Sequence, residues 1–478
     1  MPLVLGIDSS TQSTKVELRD AEDGRLVGSA RAPHPDVHPP CSEQDPEAWW
    51  EALCLAAAEA TADGSHHVAA VSVAAQQHGM VLLGADGSVL RPAKLWNDTE
   101  SAPEAADLVA HLGAAWWASR TGSVPTAAFT VTKLAWLGRH EPDLARAMGS
   151  VLLPHDYLTY RLTGRRVTDR GDASGTGYFD PTDGKWLVDL LDEMVGPADW
   201  AGRLPTVLGP IEPAGPMSAD GRATLDIGDV ELVGPGTGDN MAAALGIGLR
   251  PGQTCISIGT SGTVFTRSDR AVADPSGTVA GFADATGGFL PLACTLNATR
   301  VTQAVAALLG VTTSRFDTLA LAAPAGARGL TLLPYFDGER TPDRPTATGT
   351  LAGLRSGVTR QDVARATVEG VVCGLLDALD ALHGLVDADD GPLVLVGGGG
   401  RSAVFRRVLA DLSGRTVVVP DIAEAVATGA CVQAAATLLG RPLDDVQVAW
   451  GLGGGELVEP DAGVDCASVR QAYAELRG

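Results

Sequence analysis

Basic charge is scarce in this chain of 478 residues: 35 Lys and Arg stand against 58 Asp and Glu, a formal charge of −23 at pH 7. Binding a nucleic-acid backbone needs clustered Lys and Arg, and no basic run occurs, so a nucleic-acid partner is not expected. A nucleotide remains within reach, because backbone N–H groups or a metal ion hold phosphate locally whatever the net charge. The seven cysteines, Cys41, Cys54, Cys255, Cys294, Cys373, Cys431 and Cys466, are scattered, with no C-x-x-C pair. That excludes a disulfide framework and a zinc site from the expectations. Long apolar runs are missing too; Val68 to Ala75 is far shorter than the roughly 20 residues of a membrane span. The start, MPLVLGID, has no basic segment of the secretory kind. A cytoplasmic location with no membrane partner is the expectation.

What remains is the composition of a globular protein, 45% hydrophobic and 19% charged. The chain is too long for one ordinary core, so two domains are expected.

Two short patterns repeat. Leu3 to Asp8 is apolar, Ser9 to Thr14 is a run of small or polar residues, and Lys15 to Arg19 alternates, which reads as a hairpin. Its tip offers N–H and O–H donors to a phosphate, and Asp8 at its start suits a hydrated Mg²⁺; a solvated turn bonded to its own backbone fits the same residues. Past the middle, Thr254 to Gly259, the turn Thr260-Ser261-Gly262 and Thr263 to Arg267 repeat the design. Two such hairpins suggest an internal duplication in which each half lends a turn to a cleft. A clamp of that kind suits phosphoryl transfer, which needs chiefly positioning and charge stabilisation.

Between them lies VGPGTGDNMAAALGIG, residues 233 to 248. Gly234, Gly236 and Gly238 leave room for a ligand, Met241 to Ala244 begin a helix, and Asp239 stands at its mouth. The pattern fits a general base and fits equally an N-cap. Upstream, residues 67 to 75 read as a buried strand and Gly79 opens another, so Gln77 and His78 occupy a tight connection at a strand end, where ligands bind in α/β sheets. Trp96, Asn97 and Asp98 follow Leu95, an aromatic face beside amide and carboxylate groups that suits a polyol, although a Trp is more often core. Trp116 and Trp117 are expected in the core, residues 204 to 216 as connecting structure, and 169 to 184 as loops or hairpins, with Asp172, Ala173 and Ser174 at the rim of a pocket. In the second half, Gln361 to Val386 carries one apolar helical face. Leu393 to Val396, Gly397 to Gly400 and Ala403 to Leu412 read as strand, glycine turn and helix, with Ser402 as cap. Asp337, Glu339 and Arg340 are placed near a cleft or in a surface ion pair.

DSSTQSTK, GTGDN, SIGTSG and LVGGGGRS, in this order, resemble the FGGY carbohydrate kinases, within the wider superfamily of sugar kinases, Hsp70 and actin. Residues 349 to 369 resemble that family's C-terminal signature, and residues 128 to 140 its N-terminal one, with Ala128 a departure. The resemblance covers nearly the whole chain. It implies an α/β fold of two actin-like (ribonuclease H-like) domains with a cleft between them: residues 1–243 binding sugar and 244–478 binding nucleotide, joined near Ala243. VAAQQHGMVLL, RPAKLWNDTES and LLPHDYLTYRLTGRRVTDRGDASGT are similar to the members that act on ketopentoses, with Gln77 in place of the usual Met.

The implied reaction is MgATP-dependent phosphorylation of D-xylulose on O5, with ATP and Mg²⁺ required. Asp239 is then the base, and Gln77, His78, Trp96, Asp98, Asp239 and Asn240 hold the sugar. Ser10, Thr11, Gly259, Thr260, Gly262, Gly398, Gly399 and Ser402 hold the nucleotide, and Asp8 places the metal. Ribulose, glycerol or gluconate are alternative substrates, a nucleotide-driven switch like actin or Hsp70 is an alternative class, and a homodimer is left open.

Overall fold

The structure is a computed structural model describing residues 2–62, 67–225, 227, 228 and 230–478. Its organising features are two mixed sheets of one plan. In the first, Leu3–Ser9 pairs antiparallel with Ser13–Asp20, which pairs antiparallel with Leu26–Pro33. On its other side Leu3–Ser9 runs parallel to Val68–Ala75, itself parallel to Leu232–Val233 and Thr237–Gly238. In the second, Thr254–Ile258 pairs antiparallel with Gly262–Thr266, and this with Phe289–Thr295. Thr254–Ile258 also runs parallel to Leu393–Val396, followed by Val417–Val419. Both expected hairpins are present, and the duplication read from them holds at the level of whole sheets.

Leu3–Ser9 is buried on both faces, the burial expected of a strand covered by helices above and below. Leu3, Leu5 and Ile7 pack with Trp49 and Leu53 of the helix Pro46–Ala60. Gly6, on the opposite face, lies under the helix Ala425–Leu439, where a Cβ would come within 2.2 Å of the Ala427 carbonyl oxygen. The helix Asp239–Gly246 packs on the same helix as closely: a Cβ on Gly429 would stand 1.8 Å from the Ala242 carbonyl oxygen, and one on Gly246 1.9 Å from that of Ala425. Ser72 Oγ donates to Gln433 Oε1 at 2.6 Å, and Gln433 Nε2 to the Gly236 carbonyl at 3.1 Å, fixing this helix to the first sheet.

A division between residues 243 and 244 therefore follows the chain but not the packing. Ala425–Leu439 belongs by sequence to the second half and by contact to the first sheet, because its small residues let three elements meet at backbone distance.

The expected helix at 361–386 is Arg360–His383, with a Thr359 and Asp362 capping box, and its stripe Val368, Val371, Leu375, Leu379 and Leu382 is buried. Trp117 is fully buried, with Trp116 edge-on to it at 5.4 Å. Residues 204–216 are more than connection, since Thr206–Leu208 pairs parallel with Val167–Asp169. Residues 169–184 hold a short helix, Arg170–Ala173, and the first strand of the hairpin Phe179–Asp180 with Lys185–Trp186. Among the described residues, no single helix is long and apolar enough to cross a membrane.

Candidate active site

The glycine turn delivers Asp239 to a cavity rather than to a cap. Gly238 takes the N-cap position of the helix Asp239–Gly246, and no side chain caps it. Asp239 is the first helical residue, half-buried, and its Oδ1 accepts from the Asn240 backbone N–H at 2.8 Å and from Asn240 Nδ2 at 3.0 Å. The same Nδ2 donates to Gln77 Oε1 at 2.8 Å. One carboxylate oxygen is thus held while the other is left for chemistry. Burial, and then the negative charge of Asp8, push the Asp239 carboxyl up to about 7.

Gln77 and His78 leave the end of Val68–Ala75. His78 has φ 65°, a left-handed conformation uncommon outside glycine and concentrated at functional sites. It points its ring inward: Nδ1 donates to the Gly175 carbonyl at 2.7 Å, which leaves Nε2 as an acceptor. The ring stacks on Phe129 with centroids 4.9 Å apart and tilts against Phe282 at 5.7 Å. Burial, then the charges of Lys133 and Arg340, push its pKa down to about 3, so the imidazole is neutral. Lys133 shapes this wall from behind. Fully buried, it turns back to bond the carbonyls of Ala127, at 3.1 Å, and Ala128, which sets the loop presenting Phe129.

These side chains line a cavity of about 370 Å³ between the two halves. The first half contributes Gln77, His78, Trp96, Phe129, Asp239 and Asn240; the second contributes Gly259, Ser261, Phe282, Thr295, Arg300 and Arg340. Trp96 also borders a neighbouring recess lined by Ser10, Thr11 and Gln12, and its indole N–H donates to Thr11 Oγ1 at 3.0 Å.

Asp8 is the second-last residue of the first strand, where the register sets Lys15 directly across from it. Lys15 Nζ stands 3.4 Å from Asp8 Oδ2 and 2.7 Å from Glu424 Oε2. Asp8 Oδ1 is buried without a hydrogen-bond partner. Burial pushes this carboxyl up to about 6 against the pull of Lys15. A buried, orphaned carboxylate oxygen beside a phosphate-sized turn fits a hydrated Mg²⁺.

Several expected site residues are placed otherwise. Asp98 is fully buried and away from the cavity: Oδ2 accepts from the Ser42 N–H at 2.9 Å and lies 3.3 Å from Lys94 Nζ, and Oδ1 accepts from the Glu100 N–H at 3.1 Å. It is a structural carboxylate, because the chain turns between Leu95 and Asp98 and carries it behind Trp96. The surrounding group Cys41, Glu43, Asp98 and Glu100 has metal-like spacing, but the Lys94 ammonium already sits among its carboxylates.

Gly262 is a glycine for packing, since a Cβ would meet Leu375 Cδ2 at 2.4 Å. Thr260 is exposed and its carbonyl accepts from Ala298 and Arg300; Ser261 is the turn side chain that lines the cavity. Ser402 caps the helix Ala403–Ser413. Gly399 packs against Ile258, where a Cβ would stand 2.4 Å from Cγ2, and Gly398 is exposed with open space beside it. This brings the glycine turn beside the Gly259 turn, outside the central cavity. Glu339 and Arg340 form no ion pair with each other.

Phe129, Phe282, Lys15 and Arg300 were not among the expected site residues. Only Lys15 had a usable signal, as the cation closing DSSTQSTK.

The N-terminal domain of the FGGY family of carbohydrate kinases matches residues 3–246, and its C-terminal domain residues 254–438. A xylulose kinase of Streptomyces rubiginosus is 48% identical, over 96% of this chain and 92% of its own. A xylulose kinase of Escherichia coli is 34% identical, over 86% and 85%. The crystal structure of a xylulose kinase from Bifidobacterium adolescentis superposes with a TM-score of 0.87 at 40% identity, covering 100% of this chain and 99% of that one. The fold is the two-domain, actin-like α/β fold of sugar kinases. The chain belongs to the FGGY family of carbohydrate kinases, and is an enzyme that moves a phosphoryl group from ATP to an alcohol.

Proposed function

We propose that this kinase converts D-xylulose to D-xylulose 5-phosphate, with Asp239 as the base. The observation that carries the reading is a single carboxylate, anchored through one oxygen by Asn240, facing the same cavity as the neutral imidazole of His78. Relatives named xylulose kinase over nearly the full chain support the choice of sugar. The alternative of a nucleotide-driven switch is not favoured, since a switch has no use for an aromatic-walled polyol cavity beside a base.

In this reading the sugar lies against Phe129 and Phe282, and His78 Nε2 accepts a sugar hydroxyl. Gln77 acts through Asn240. Asp239 takes the O5 proton as the O5–P bond forms and the bond to the β–γ bridging oxygen breaks, its electron pair leaving with ADP. General-base assistance of this kind is worth about 10²–10⁴ in rate. Asp8 would hold a hydrated Mg²⁺, which when bound neutralises phosphate charge. The backbone N–H groups of Thr260 and Ser261 serve the phosphates from the second half and that of Thr11 from the first, the Gly259 and Ser10 N–H groups being taken up by the Ser261 and Ser13 carbonyls, and the Gly398–Gly399 turn serves the base or sugar of the nucleotide. The domains hinge at Asp239–Gly246, and their closure excludes water as a competing acceptor. A cytosolic setting goes with the reading, because ATP is there.

The test is mass spectrometry of products after incubation with MgATP and an equimolar mixture of D-xylulose, ribulose, glycerol and gluconate. A dominant pentulose monophosphate, assigned to D-xylulose in single-sugar reactions, is expected. Dominant phosphorylation of another acceptor sinks the substrate, and ATP hydrolysis with no phosphorylated sugar sinks the reading.

A further inference from the structure

Two arginines of the second half line the central cavity, and among the described residues neither makes an ion pair. Arg300 starts behind the phosphate turn, its N–H facing the Thr260 carbonyl at 3.4 Å. Arg340 lines the same cavity as His78 and Asp239. We propose that the Arg340 guanidinium is a catalytic group on the acceptor side, gripping the phosphoryl group as it arrives on the sugar oxygen beside Asp239. This rests on the sugar phosphorylation proposed above.

The loop is built to hold that side chain out. Glu339, only 3% exposed, accepts from the Leu296 N–H at 2.6 Å, from Asn297 Nδ2 at 2.9 Å and from the Arg340 N–H at 2.7 Å. These bonds hold the carboxylate against the loop, and it forms no ion pair with the Arg340 guanidinium. Before it, Asp337 and Gly338 are both left-handed, at φ 60° and 89°, and a Cβ on Gly338 would stand 2.4 Å from the Pro345 carbonyl oxygen. After it, Thr341 Oγ1 donates to the Cys294 carbonyl at 2.7 Å. Fixed backbone on both sides leaves the Arg340 side chain as the free element.

Its place is the acceptor end. Arg340 lines one cavity with His78, Asp239, Asn240 and Cys294, and Thr341 ties its loop to the Cys294 carbonyl; its positive charge is felt at His78, and at the Cys294 thiol together with the negative charges of Asp239 and Glu339. A neutral sugar needs hydrogen bonds, which His78 and Asn240 supply. What needs a full positive charge there is the incoming group, whose equatorial oxygens keep negative charge from transition state to product. Lys15 cannot serve, being held between Asp8 and Glu424. In the step, the O5–P bond forms, the bond from phosphorus to the bridging oxygen breaks with its electrons on ADP, the proton passes to Asp239, and Arg340 keeps hold of the transferred oxygens.

Steady-state kinetics with D-xylulose and MgATP, and product inhibition by D-xylulose 5-phosphate, test this on Arg340→Met, Arg340→Gln and Arg340→Lys, each checked for an unchanged melting curve. The expected result for Met and Gln is a kcat lower by about 10²-fold, a product inhibition constant raised at least about tenfold, and a xylulose KM within about threefold. Lys should recover part of both losses. A KM and inhibition constant that rise together while kcat stays intact would make Arg340 a plain sugar contact and overturn the proposal, as would unchanged kinetics. A wild-type enzyme that phosphorylates no pentulose overturns the functional reading as well, whereas an active wild type with unimpaired variants overturns this inference alone.

Discussion

Asn240 Nδ2 lies 2.8 Å from Gln77 Oε1, a hydrogen bond between a helix start and a strand end 163 positions apart in the chain. The same nitrogen reaches Asp239 Oδ1, so the carboxylate proposed as the base is aimed by a residue of another element. The Gln77 amide thereby fixes the orientation of the Asn240 amide, a role that an apolar side chain there would lack.

Asp239→Asn is expected to keep the fold and bind xylulose while kcat falls about 10³-fold. Binding by calorimetry and turnover in a coupled ADP assay separate the two. Near-normal turnover would remove Asp239 from the role of base.

The pH dependence follows from the same carboxyl. Burial and Asp8 raise it to about 7, and the base must be ionised. Activity is therefore present above about pH 7, and kcat/KM for the sugar falls about tenfold per pH unit below it. A flat profile between pH 5 and 8 would count against this.

His78→Ala should raise the xylulose KM on the order of tenfold, for loss of one hydrogen bond and a stacked ring, and leave the ATP KM within error. Initial rates with each substrate varied in turn decide it; equal effects on both would detach His78 from the sugar.

Asp172 is fully buried with neither carboxyl oxygen hydrogen-bonded, 3.4 Å from His155 Nε2, and burial raises its pKa well above the usual range. The folded chain then holds a proton that the unfolded chain releases near pH 4. Stability from this group is lost as pH rises toward the raised pKa. Asp172→Asn should accordingly raise Tm at pH 8 by a few degrees and by less at pH 5, read by calorimetry. The reverse order would show that the carboxylate is stabilised.

Gly429→Ala opposes two effects. Alanine favours a helix interior over glycine by about 1 kcal/mol, but here its Cβ would meet the Ala242 carbonyl at 1.8 Å, backbone against backbone. Overpacking wins, and a loss of about 3 kcal/mol is expected in denaturant melts. A stabilised variant would mean that the two helices separate readily.

The hairpins were legible because six small or polar residues between apolar runs leave few other conformations, and Asp239 because glycines precede it and a helix follows. Asp98 was misread for a reason of direction: proximity in sequence to Trp96 says nothing about which side of a turn a carboxylate leaves from. Phe129, Phe282 and Arg300 reach the cavity from separate elements whose convergence is a property of the sheets, invisible in any local window. Lys15 was within reach as the cation closing DSSTQSTK, but its pairing with Asp8 comes from the strand register.

The bed of Ala425–Leu439 on the first sheet has a practical result. Cutting this protein at residue 243 would strand a small-residue face of the C-terminal fragment in water and leave the N-terminal fragment with an uncovered sheet, so neither piece should behave as an independent body. Split-protein sensors or domain swaps between relatives would have to carry that helix along with the opening strands, treating the last fifth of the chain as the lid of the first.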